Sequence, residues 1–149
     1  MEAKELVKSL GETLGIELML EDGGTCSFEA DDFLVRIIDL PENGVIIIEG
    51  DLGTPPPEHL EALYRTLLEA QYRFRNTSGA TISCDPDTGN LVLCRAIATS
   101  LQDPESFLDA VERFISTLQV WSDVVCNYRG EPSGTPLPGD LPVGGFMPV

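Results

Sequence analysis

Few residues in this 149-residue chain could carry chemistry, and their spacing argues against most kinds of it. Four cysteines, Cys26, Cys84, Cys94 and Cys126, lie far apart. None forms the C-x-x-C pair of a zinc or redox site, so they read as small, reduced, buried thiols. The single histidine, His59, falls in the opening turn of an expected helix and reads as a surface residue rather than a general base. Asp85-Pro86-Asp87-Thr88-Gly89-Asn90 has the Asp-x-Asp spacing of a calcium loop. Gly89 stands where a ligand is needed and no glutamate follows at the right distance, so the stretch reads as a turn. No G-x-S-x-G, P-loop, G-x-G-x-x-G or H-E-x-x-H occurs. The carboxylates are scattered over helix faces and turns. No metal, cofactor or catalytic residue is expected, and an enzyme is the weakest reading.

Charge narrows the partners. Nine basic residues against twenty-five acidic ones give a net charge of −16. Phosphate contacts need clustered Lys and Arg, so nucleic acid is disfavoured, and an anionic membrane surface would repel the chain. A hydrophobic content of 42% is too high for an acidic disordered protein. No apolar run reaches the roughly 18 residues of a membrane span. The charged, amphipathic start, MEAKELVKSLGETLG, lacks the apolar centre and cleavage site of a secretory signal, which places the protein in the cytosol.

The elements that position these residues follow from periodicity. Leu6, Leu10 and Leu14 recur at helical spacing, and Gly15 ends that helix. Thr25–Ala30, Phe33–Leu40 and Val45–Leu52 read as three strands joined by short turns, an antiparallel arrangement. Ile16–Leu20 reads as a short lead-in strand. After Pro55-Pro56-Pro57 a second helix is expected from about Glu58 to Phe74. Its apolar set covers roughly half the circumference, wider than a helix on one sheet needs, so it should meet two surfaces. Ala80–Cys84 and Leu91–Ile97 form a hairpin. If Cys84 sits opposite Leu91, Cys94 faces the other side and a Cys84–Cys94 disulfide is disfavoured. The last helix spans about Pro104 to Val125, with Asp103 as its N-cap and a stripe of Phe107, Val111, Phe114, Leu118, Trp121 and Val125. The fold class is α+β: an antiparallel sheet of about five strands with three helices, in the order α-β-β-β-α-β-β-α. Residues 1–129 form one domain, and residues 130–149 form a Pro/Gly-rich tail, flexible unless docked on a partner. Its spaced Leu137, Leu141, Val143 and Phe146 could fill a groove as a substrate placeholder.

With that order in place, the chain resembles the class I type III secretion chaperones, the Tir chaperone and effector chaperone family. The resemblance rests on Leu10-Gly11 through Leu14-Gly15-Ile16, Cys26-Ser27-Phe28-Glu29, Glu49-Gly50-Asp51-Leu52-Gly53 and Leu63–Ala70. Its most specific block is Ser78-Gly79-Ala80-Thr81-Ile82 through Asp85-Pro86-Asp87-Thr88-Gly89-Asn90-Leu91-Val92-Leu93, and Phe107–Trp121 completes it. It covers residues 3–125 and leaves out the tail. What the resemblance implies is a cytosolic homodimer that holds the N-terminal segment of one secreted effector in extended form for the secretion apparatus. The secretion ATPase is a further candidate partner. The second helix would carry the dimer interface, through Leu60, Leu63, Tyr64, Leu67 and Leu68. A peptide groove would use exposed apolar side chains beside a sheet edge, with Leu6, Leu10, Phe33, Val35 and Ile37 as candidates. A competing reading is an acidic interaction or inhibitor module that masks a basic partner surface.

Overall fold

The computed structural model describes residues 1–130, and the expected tail with its Leu137, Leu141, Val143 and Phe146 lies outside the described residues. Its elements are α1 (Ala3–Leu14), β1 (Thr25–Ala30), β2 (Phe33–Leu40), β3 (Val45–Gly53), α2 (Leu60–Gln71), β4 (Thr81–Cys84), β5 (Leu91–Ala98) and α3 (Pro104–Cys126). Single 3-10 turns follow α2 at Tyr72–Phe74 and β5 at Thr99–Leu101. The expected helix and strand order is therefore the observed one. The strands form one five-stranded sheet in the order β1-β2-β3-β5-β4. β1 and β2, β2 and β3, and β4 and β5 pair antiparallel.

The chain divides into two compact units. The first joins residues 1–50 to residues 95–115, and the second, among the described residues, joins residues 51–94 to residues 116–130. In the first, Leu6, Val7 and Leu10 line the buried face of α1, and Val35, Ile37, Ile46 and Ile48 the buried faces of β2 and β3. Phe107, Val111 and Phe114 of α3 complete that core. The opposite strand faces are more open, and there Arg36 Nε donates to Glu49 Oε1 at 2.9 Å across the Arg36–Glu49 register pair. In the second unit the core holds Leu52, Leu63, Leu67, Leu93, Leu118, Trp121 and Val125. Trp121 is fully buried, and its Nε1 donates to the Asn76 carbonyl at 2.8 Å, so the ring enters the core without stranding its polar atom.

Caps set several boundaries. Gly15 takes φ +74° at the end of α1, and the Ile16 amide bonds back to the Gly11 carbonyl at 2.9 Å. Asp103 caps α3 as expected: the Ser106 amide donates to Asp103 Oδ1 at 2.8 Å, and Ser106 Oγ accepts from the Asp103 amide at 2.9 Å. Hydrogen bonding by Ser106, first from its amide and then from its side chain, holds the Asp103 carboxyl below its ordinary range. α2 is shorter than the spacing predicts at both ends. His59 stands in the left-handed region at φ +65°, which delays the helix to Leu60, and Arg73 and Phe74 at φ +54° and +57° end it after Gln71. Ile16–Leu20 is irregular chain rather than a strand.

Gly11 makes that irregular segment possible. A Cβ there would come within 2.8 Å of the Ile16 carbonyl oxygen and 3.0 Å of the Leu18 amide. Both are backbone atoms and cannot swing aside. Alanine is the better helix former by about 1 kcal/mol, whereas overpacking against backbone costs about 1–3 kcal/mol, so the clash decides the sign. Gly11→Ala is expected to lower the urea midpoint with the m-value unchanged. A more stable variant would contradict this packing.

Candidate functional site

The candidate chemistry resolves into structure. Asp85 Oδ1 accepts from the Asp87 amide at 2.9 Å, and the Gly89 amide, at φ +79°, donates to the Asp85 carbonyl at 2.8 Å. The Asp-x-Asp stretch is thus the tight turn of the β4–β5 hairpin. Cys84 does sit opposite Leu91, Cys94 sits opposite Thr81, and all four cysteines are free. Only Cys26 is buried, and burial, with Glu21 as the lesser cause, pushes its thiol up. Cys84 and Cys126 are exposed, which corrects the expectation of uniformly buried thiols: each ends its element, at the last residue of β4 and of α3. His59 lies at the start of α2, where a Cβ on Gly130 would come within 2.8 Å of its ring. Among the described residues, no group of three or more His, Cys, Asp or Glu could hold a metal ion. No helix among them is long and apolar enough to cross a membrane.

Among the described residues, two open apolar surfaces stand out, one in each unit. The first lies at the exit of α1. A cleft of about 700 Å³ opens there between the helix, through Lys4, Lys8 and Gly11, and the segment carrying Ile16 and Met19. Ile16 is 42% and Met19 68% exposed. The same unit holds β1, an edge strand that pairs with β2 alone. Past Thr25, whose carbonyl accepts from the Glu21 amide at 2.9 Å, no backbone bond among the described residues reaches the outer edge of β1. The sheet's other edge, β4, is partly closed, because Gln71 Oε1 accepts from the Ile82 amide at 2.8 Å.

The groove residues expected from the sequence are not on this surface. Leu6, Leu10, Val35 and Ile37 are fully buried in the first unit, and Phe33 is half-buried. A peptide could reach the first four only by unfolding the unit. The sequence reads Ile16 and Met19 as part of a lead-in strand rather than as groove residues, and their one signal is two large apolar side chains just past the end of α1.

The second surface runs along α2. Apolar residues of α2 and the turn after it divide into a buried stripe and an exposed one. Leu63, Leu67 and Ala70 are buried within the unit, whereas Tyr64, Leu68 and Tyr72 are exposed, Leu68 by 68%. The exposed stripe lines a shallow cleft of about 940 Å³ with Glu61, Arg65, Glu69 and Arg75 around it. Of the expected interface residues, Tyr64 and Leu68 are open to a partner and Leu60 is half-buried. Leu63 and Leu67 are not available, being committed to the unit's own core.

Known proteins give this arrangement a context. A search of the curated proteins gives no match. Among solved structures, the chain is similar to one in the ExsC–ExsE complex, with a TM-score of 0.72 at 17% identity, covering 87% of this chain and 100% of that one. It is similar to one in the HopA1–SchA chaperone–effector complex, with a TM-score of 0.62 at 17% identity over 82% and 91%. It is also similar to one in the heterodimeric ExoU–SpcU complex of the Pseudomonas aeruginosa type III secretion system, with a TM-score of 0.61 at 18% identity over 83% and 95%. Likeness at this identity establishes the fold. Residues 5–122, which take in the whole sheet, α2 and most of α1 and α3, match the Tir chaperone protein (CesT) family, and the chain belongs to that family.

Proposed function

We propose that this chaperone acts as a cytosolic homodimer that holds the N-terminal segment of a secreted effector in extended form until the secretion apparatus takes it. The observation that carries the reading is the open apolar cleft at the exit of α1, in the unit that also holds a sheet edge left open by the described residues. An extended peptide can add its backbone to β1 while alternate side chains enter apolar depressions such as that beside Ile16 and Met19. β4 is the poorer edge, since Gln71 already takes the Ile82 amide. Ordering a disordered segment has an entropic cost, which a long contact surface offsets. The reading contains no catalytic step. Family membership and the chaperone–effector content of a solved relative support it.

Limited proteolysis tests it. A candidate effector mixed with this protein should show a long N-terminal stretch protected from cleavage, while the rest of the effector is cut as before. An effector cut equally with and without the protein would overturn the reading. The net charge of −16 favours a second reading, an acidic module masking a basic partner. The two separate on salt: charge masking weakens steeply as salt screens it, whereas an apolar groove responds modestly.

A further inference from the structure

The stripe on α2 is self-complementary in charge as well as apolar. Resting on the reading of that stripe as the contact between two copies, we infer that a two-fold axis passes through Leu68 and brings Glu61 of each copy against Arg75 of the other.

An isologous contact applies one rule: if residue i meets j, then j meets i. Two copies of one stripe crossing antiparallel about a central residue therefore match positions equally distant from it. Leu68 is the most exposed large apolar residue of α2. Tyr64 and Tyr72 stand four positions either side of it, and Glu61 and Arg75 seven. All five line the same cleft, including the two that follow the end of the α-helix. The match therefore sets leucine on leucine at the axis, tyrosine on tyrosine next, and opposite charges at the rim.

Two local features favour this register. The Arg75 guanidinium lies 5.4 Å from the centroid of the Tyr72 ring, so its charge is held beside the aromatic residue of the stripe. Among the described residues, Glu61 makes no ion pair, leaving its carboxylate for a partner copy. An axis one turn further on, at Tyr72, would pair Glu69 with Arg75 instead. On a chain of charge −16, two copies repel at long range, and such rim pairs fix orientation against that repulsion.

Charge reversal in the full chain, read by sedimentation equilibrium, tests the register. Glu61→Arg and Arg75→Glu should each raise the dimer Kd about tenfold or more at low salt, because each creates two symmetry-related like-charge contacts. Glu61→Arg with Arg75→Glu together should return it to within about threefold of the parent. Single variants as tight as the parent, or a double variant no tighter than the singles, would overturn the register. So would rescue of Arg75→Glu by Glu69→Arg in place of Glu61→Arg. Leu68→Glu separates this failure from that of the underlying reading. If it gives monomers while charge reversal fails to rescue, the α2 contact stands and the register falls. A dimer that survives Leu68→Glu removes both.

Discussion

Leu68→Glu is expected to give a folded monomer, whereas Leu67→Glu, one position earlier, is expected to unfold the protein. The residue type and the change are identical, and only the stripe differs. Leu67 is 3% exposed and Leu68 68%. A carboxylate at position 67 would be buried without a partner, and an unpaired buried charge costs several kcal/mol or more. A domain of this size has about 5–15 kcal/mol in total, so that loss takes most of it. At position 68 the carboxylate stays in water in the free subunit, and stability should change by less than about 0.5 kcal/mol. The penalty falls on association. Burying a leucine contributes about 1.5–3 kcal/mol, the contact contains Leu68 twice, and two like charges would face each other there. The dimer Kd should therefore rise at least about a hundredfold. Circular dichroism and sedimentation of both variants check this. Unfolding of Leu68→Glu, or a folded dimer of Leu67→Glu, would mean that the two stripes are assigned the wrong way round.

The same contrast shows what periodicity can and cannot say. A wide apolar arc on α2 calls for two contact surfaces, because a helix on one sheet needs only one. It did not say which leucines went to which surface, so Leu63 and Leu67 were grouped with Leu68. β2 posed the problem more sharply. Leu34 and Ile38 share one face and Val35 and Ile37 the other, and alternation has no sign when both faces are apolar. The deciding residue was Arg36, whose pair with Glu49 of β3 marks the Leu34–Ile38 face as the more open one. That pairing depends on strand register, which the sequence of one strand does not contain. Signals complete within a few residues read correctly: Gly15 after the leucine repeat, Asp103 three residues before Ser106, and the Asp85–Asn90 turn that set Cys84 opposite Leu91. Left-handed His59, Arg73 and Phe74 could not be foreseen, since ordinary residues rarely take that region by their own preference.

Ile16→Asp combined with Met19→Asp is expected to weaken effector capture strongly while leaving fold and dimer intact. Both side chains stand in the cleft at the exit of α1, and neither belongs to the core. Removing their burial against a bound peptide forfeits about 1.5–3 kcal/mol for each, scaled by the share of surface still open. Desolvating two new carboxylates adds to the loss, so affinity for the effector's N-terminal peptide should fall about a hundredfold. Leu10→Ala is the matched control from the buried face of the same helix. It should remove about 2–5 kcal/mol of stability, and the protein that remains folded should bind with parent affinity. Calorimetric titration at a temperature where each variant is folded separates the two effects. The Asp pair also distinguishes the competing functions. A module that masks a basic partner gains from two added negative charges, and its affinity should hold or rise. A groove that seats apolar side chains can only lose by them. Unchanged affinity in the double variant would place peptide binding away from the exit of α1, and tighter binding would favour charge masking over chaperoning.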